Sequence, residues 1–287
     1  MLNIINLDND SAREEMGKPD EYMRHTTASY RSLFAKDSEM SSFKKLMINS
    51  VLPPTEHQID MVQQSQEIIN KSLEMYDLLN LEMEMGMIYT NGTDNVGMPY
   101  TKGLSMVMPS NYHFPPGVLS YLNPHLVAHE LWHILSRKNP ELRKKAYKAI
   151  GFKESNSDLM NKSLKMDFNL QEKYFINPDA ISHDHYFEHT LDNSEKIELY
   201  PIFIMMNGMA PALACVRNDD IFDIKPLSQC REYVNAFENV GYNTHPEEIC
   251  AEHFRMMIMD KHEKIIEHLP NKLMMKNFIE VVEEFFK

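Results

Sequence analysis

Cysteine is scarce, with only Cys215, Cys230 and Cys250 in 287 residues. The number is odd and no two form a CxxC pair, so a disulfide framework is not expected and a reducing interior is the default compartment. Glycine is sparse as well, nine residues against 15 prolines, which leaves few flexible hinges. Basic side chains are in deficit: 29 Lys and Arg face 42 Asp and Glu, a formal charge of −13. Phosphate contacts need Lys and Arg, so neither nucleic acid nor an anionic membrane is expected as a partner. Long apolar runs are missing too. The most apolar stretch, 199–216, contains Pro201, Asn207, Gly208 and Pro211 and is a poor spanning helix. The opening residues MLNIINLDNDSAREEMGKPDEY lack the basic-then-apolar order of a secretory signal. The expectation is a soluble, cytoplasmic protein; an exported effector with another kind of signal stays open.

What is present suits a folded enzyme-sized chain. Hydrophobic residues make up 43% and charged residues 25%, ordinary values that exclude disordered and fibrous classes. The length fits one large domain or two closely packed lobes. Twenty-three methionines sit among Ile, Leu and Phe at core-like positions, where their flexible thioethers fill gaps.

The first fifty residues read as short helices, with Met40, Phe43, Leu46 and Met47 three or four apart. A long helical pattern then runs from about Glu56 to Met83, and MGMIYTNG and GLSMVMP read as strands. Asn123-Pro124 and Asn139-Pro140 each open a helix, and Gly151 closes the second. Residues 154–240 form a β-rich insert with hairpin signals at Asp192–Glu195 and Asn207-Gly208. From Pro246 the chain is helical again, interrupted at Pro270. The expected organisation is one unit: a helical part (1–84), a sheet plus central helix (85–153), the insert (154–240) and C-terminal helices (241–287). The class is α+β, helix-dominated, with a small and mainly antiparallel sheet.

Thirteen histidines make their placement worth tracing, because imidazole is the commonest metal ligand. His129-Glu130-Leu131-Trp132-His133 is an HExxH motif. On a helix, residues four apart are separated by roughly 40° in azimuth and about 6 Å in rise. His129 and His133 therefore project from one face and can share a single zinc ion. Glu130 lies about 100° round the wheel, close enough to act as the base for a metal-bound water. The flanks Leu126, Val127, Ala128, Ile134 and Leu135 are uncharged, which suits a buried helix.

A catalytic zinc needs a third protein ligand and an open position. The segment NTHPEEICAEHF supplies candidates. Pro246 starts a helix on which Glu248 and Glu252 share one face, so Glu248 is the expected ligand and Glu252 orients a ligand histidine from behind. Glu247 is the alternative ligand; it also reads as a first-turn acid that complements the helix dipole. His125 reads as a solvent-facing first-turn residue, His183-Asp184-His185 as a polar loop, and His253 as facing away.

HELWH followed by EEICAE resembles the gluzincin metallopeptidases, and EEICAEHFRMM resembles the end of the anthrax lethal factor catalytic domain. The resemblance implies a zincin-like fold, one zinc ion held by His129, His133 and Glu248, and Glu130 as general base. It also implies a Tyr or His near the Glu248 helix that stabilises the oxyanion, for which Tyr242 and His245 are the candidates. The interval from His133 to Glu248 is longer than in many gluzincins, which leaves the insert to form a lobe or shape a cleft. The expected activity is hydrolysis of a peptide or protein substrate. The strand at 104–108, just before the HExxH helix, is expected to pair with an extended substrate. Two other classes stay open: a metal-dependent hydrolase of a non-peptide bond, and a zinc-binding interaction module without turnover. In the latter, His125 or His245 would close the fourth position.

Overall fold

The structure of the protein is a computed structural model that describes residues 1–287 except 79, 96, 111–121, 165–173, 176–178, 181, 206–208, 238–242 and 270. Its first element is a strand, β1 (Leu2–Asn6), in a region whose pattern reads as helical. Leu2 is buried and the odd positions are exposed, but five residues carry little periodic signal. Pairing with a partner some eighty residues downstream decides the outcome.

Three short helices follow with side-chain caps: α1 (Asn9–Gly17) behind Asp8, α2 (Glu21–His25) behind Asp20 and α3 (Ala28–Arg31) behind Thr27. Then come α4 (Met40–Ser50), β2 (Val51–Leu52) and α5 (Glu56–Met75), the last opened by a Thr55–Gln58 capping box. Helix α5 stops at Met75, short of the expected Met83. Asp77 takes φ 56°, a left-handed turn that ends the helical ladder, and Met83 already belongs to β3 (Met83–Thr90).

β4 (Tyr100–Lys102) and β5 (Ser105–Pro109) complete the first sheet. Its order is β1-β3-β5-β4, with β2 pairing β3. β1/β3 and β3/β5 are parallel, whereas β2/β3 and β4/β5 are antiparallel. This sheet is therefore mixed, not mainly antiparallel: the helices between β1 and β3 return the chain in the same direction. The strand expected to receive a substrate, β5, is paired on both sides. Among the described residues β4 stands at one end of this sheet and β1 at the other.

α6 (Leu122–Lys138) carries the HExxH motif and α7 (Pro140–Ala149) follows directly. The first begins at Leu122, one residue before the expected Asn123 cap. The second has Pro140 in its first turn and ends before Gly151, whose φ is 95°. Val127, Ala128, Leu131, Trp132, Ile134 and Leu135 are all buried, so α6 is covered on most of its circumference.

The insert builds a second sheet rather than extending the first. β6 (Phe152–Glu154), β7 (Ser163–Leu164), β8 (Tyr174–Phe175), β9 (His185–Thr190), β10 (Lys196–Met205), β11 (Met209–Arg217) and β12 (Asp220–Pro226) form it. The order is β6-β9-β10-β11-β12-β7, with β8 on β10, antiparallel throughout except β12/β7. The turn at 191–195 joins β9 to β10 as expected, with Ser194 left-handed at φ 66°; Asn207-Gly208 lies outside the described residues. Strand periodicity sorts β10: Ile197 and Leu199 enter the main core, while Tyr200, Ile202 and Ile204 enter a separate cluster on the other face.

Helices α8 (Arg231–Ala236), α9 (Pro246–Glu263) and α10 (Lys272–Phe286) close the chain. The main core joins side chains of α5, α6, α7, α9 and α10 to β1, β3 and the inner face of the second sheet. Trp132 lies between Phe254 of α9 and Phe278 of α10, with ring centroids 5.8 and 5.3 Å away. Burying side chains of this size contributes roughly 1.5–3 kcal/mol each, enough to hold α6 and α9 in register at the site. The result is a mixed helix-and-sheet protein, and no helix among the described residues is long and apolar enough to cross a membrane.

Candidate metal centre

Helical spacing puts His129 and His133 on one face of α6, and their rings lie 5.1 Å apart between centroids. The α9 terminus meets that face. Pro246 sits in its first turn, and His245 caps it, with Nδ1 accepting the Glu247 N–H at 3.0 Å. This places three carboxylates, from two consecutive turns of α9, against the two imidazoles.

Glu248 stands between the histidines. Its Oε2 is 3.1 Å from His129 Nε2 and 3.6 Å from His133 Nε2. One donor atom from each of the three side chains falls within 4.8 Å of the others, a spacing that one ion can bridge, and no other such group occurs among the described residues. Behind the histidines, Glu252 Oε1 accepts from His129 Nδ1 at 2.9 Å, as expected of that residue. Glu247, the alternative ligand, turns away from the centre: its Oε1 accepts from His133 Nδ1 at 3.1 Å and also from Ser136 Oγ, and its Oε2 accepts from Tyr147 OH.

The donor set is one that could hold a metal ion. Both Nδ1 atoms are committed to carboxylates, so each imidazole presents Nε2, the ligand nitrogen, toward Glu248. The surrounding carboxylates favour the protonated form of both rings. Burial opposes a charged His129, but its bonds to Glu248 and Glu252 hold it well above the usual histidine range. Burial likewise opposes a charged His133, yet Glu248 and Glu247 raise it to about 9. An incoming cation would displace those protons while meeting the same carboxylates.

Glu130 is 4% exposed, and its Oε2 has no hydrogen-bond partner among the described residues. Burial pushes its carboxyl up to about 7, with His133 and His129 pulling it the other way. A buried, unpartnered carboxylate oxygen is costly unless something occupies its vicinity in use. Glu252 is different: burial raises it, but His129 and Arg255 together hold it at about 2.

The other histidines fall into place by contact. His125 is buried rather than solvent-facing: Nε2 meets Glu263 Oε1 at 2.8 Å and Nδ1 accepts from Arg255 at 2.9 Å, tying α6 to α9. His183 and His185 are also buried, not part of a solvated loop. The first packs at a tilt against His245 (centroids 5.0 Å apart) and the second meets Tyr147 edge-on (4.8 Å). Burial, then the neighbouring His183 and His185, keep His245 well below the usual histidine range and hence neutral. His253 faces away as expected, its Nδ1 donating to Ile249 O at 2.7 Å. Tyr242 lies outside the described residues.

Asp179, which the sequence does not single out, reaches this region from the insert. Its Oδ1 accepts from the Thr101 backbone N–H and from Thr101 Oγ1, both at 3.0 Å, on the outer edge of β4. Burial raises its carboxyl, offset first by the charge of His133. Arg137 braces the same strand through Gly103 O and Thr101 Oγ1. No local signal marked Asp179, Tyr147 or Ser136, because each acts through a contact distant in sequence.

Compared with protein-family models, curated proteins and solved structures, the chain gave no match.

Proposed function

We propose that the protein is a zinc metallopeptidase of gluzincin type with a zincin-like fold, cleaving a peptide or protein substrate. The observation that carries this reading is the convergence of His129, His133 and Glu248 within 4.8 Å beside a buried Glu130 oxygen with no partner among the described residues. One zinc ion held there by those three residues would supply Lewis acidity and a water of lowered pKa.

Glu130 takes the proton of the attacking water on its free Oε2 and returns it to the leaving amine. His245 uses Nδ1 as an acceptor for the α9 terminus, so its remaining proton sits on Nε2, a neutral donor suited to an oxyanion; Tyr242 is the other candidate for that role. An extended substrate adds to the outer edge of β4 by displacing Asp179 from the outward-facing Thr101 N–H.

The non-catalytic alternative needs a fourth protein ligand. His125 is engaged by Glu263 and Arg255, and His245 by the Glu247 amide, which favours an open fourth position and turnover. The test is a Glu130→Gln protein profiled on a peptide library alongside wild type. It should bind zinc normally and lose about 10²–10⁴-fold in rate; cleavage at the wild-type rate would sink the mechanism.

A further inference from the structure

We propose that Glu247 is a positioning residue for His133, forming with Tyr147 and Ser136 a buried clamp that sets the aim of the second metal-ligating imidazole; this rests on the metal centre proposed above. The argument starts from the two consecutive carboxylates of α9. Neighbouring residues on a helix point about 100° apart, so Glu247 and Glu248 cannot face the same spot. They take opposite ends of one ring instead: Glu248 Oε2 lies 3.6 Å from His133 Nε2, and Glu247 Oε1 lies 3.1 Å from His133 Nδ1.

The first histidine is held the same way by a pair four residues apart. Glu248 meets His129 Nε2 at 3.1 Å and Glu252 meets His129 Nδ1 at 2.9 Å. Glu248 thus serves both rings in front, while Glu252 and Glu247 each anchor one from behind. The two anchors differ in setting. Glu252 shares its carboxylate with Arg255 near the surface, with bonds of 2.8 and 3.2 Å. Glu247 is 0% exposed, and among the described residues no Arg or Lys bonds it; its oxygens are filled by His133, Ser136 Oγ and Tyr147 OH, and its own amide is fixed by His245.

A first-turn acid that merely complements the helix dipole would point to solvent. This one points inward, and every one of its partners donates a proton to it. With Nδ1–H committed to Glu247, His133 has one tautomer and one ring orientation available as a neutral ligand, with its lone pair on Nε2. Tyr147 extends the clamp to α7 and, by its ring contact with His185, to the second sheet.

The experiment uses the full chain, stripped by a chelator and then titrated with zinc alone in competition with a chromophoric chelator. Cobalt(II) absorption reports ligand geometry in parallel. Glu247→Gln should weaken zinc about tenfold, and Glu247→Ala up to about a hundredfold, with a changed cobalt spectrum. Tyr147→Phe, which keeps the packing, should give a smaller loss in the same direction, and it decides the matter if Glu247→Ala fails to fold. Glu252→Gln is the internal reference. If it weakens zinc while both Glu247→Gln and Tyr147→Phe bind like wild type with an unchanged cobalt spectrum, the clamp is refuted and the metal centre stands. If wild type itself binds no zinc, the metal reading fails and this one falls with it.

Discussion

Removing the Glu248 carboxylate should expose both halves of the site's energetics. This side chain is 2% exposed and accepts from His129 at 3.1 Å, with His133 at 3.6 Å. Stripping one partner from a buried ionic cluster costs about 3–5 kcal/mol when the charge left behind cannot neutralise. Here it can, because both imidazoles are able to shed a proton, so Glu248→Ala should cost less, about 2–3 kcal/mol. Zinc adds the second half. At a free concentration a thousand times Kd, a ligand that binds only the folded state stabilises it by about 4 kcal/mol. At about 2–4 °C per kcal/mol, wild type should gain on the order of 8–16 °C in Tm, and Glu248→Ala, left with two ligands, most of that less. The assay is thermal and urea unfolding of both proteins, stripped and zinc-loaded. A Glu248→Ala protein that gains as much from zinc as wild type would refute the assignment of Glu248 as a ligand.

Two further outcomes follow from contacts around the site. Asp179→Ala should free the Thr101 amide, accelerating its hydrogen exchange by about tenfold or more for a lost bond of about 1.5 kcal/mol, and lower KM for a substrate that pairs with β4; an unchanged exchange rate would show that Asp179 does not guard the edge. His253 is held below its ordinary value of 6.5 mainly by burial, so the unfolded chain takes up its proton first. Its contribution is complete above that pH and is lost as pH falls toward the folded value. The stability difference between wild type and His253→Gln, followed by urea unfolding, should therefore shift against wild type on acidification below about 6.5.

Much of the site was legible because its signals are local. The spacing of His129 and His133, and of Glu248 and Glu252, follows from the helical repeat, and Pro246 announces the helix that carries the second pair. Glu252 stands behind His129 as that spacing implied. Glu247 is eligible as a ligand in the sequence because adjacent carboxylates look equivalent in a string of letters; only Tyr147 and Ser136, which meet it across the core, show which way it turns. β1 read as helix because five residues hold too little periodicity, and β5 read as an open strand because sequence does not reveal which neighbour lies outside it. Asp179 had no signal at all: its role is an encounter between the insert and the β4 edge.

By itself, the sequence determined everything set within a turn or two of helix: an acidic chain poor in cysteine, an HExxH helix with uncharged flanks, and a second helix with carboxylates four apart. Those features depend on rotation per residue, which is the same wherever the helix lies. Tertiary structure alone decided that the two helices cross at those residues, that β4 lies at an outer edge of a mixed sheet, and that Glu247 and Asp179 point where they do. These are contacts between segments tens to more than a hundred residues apart, set by burial of Trp132, Phe254 and their neighbours, and no local pattern encodes the partner.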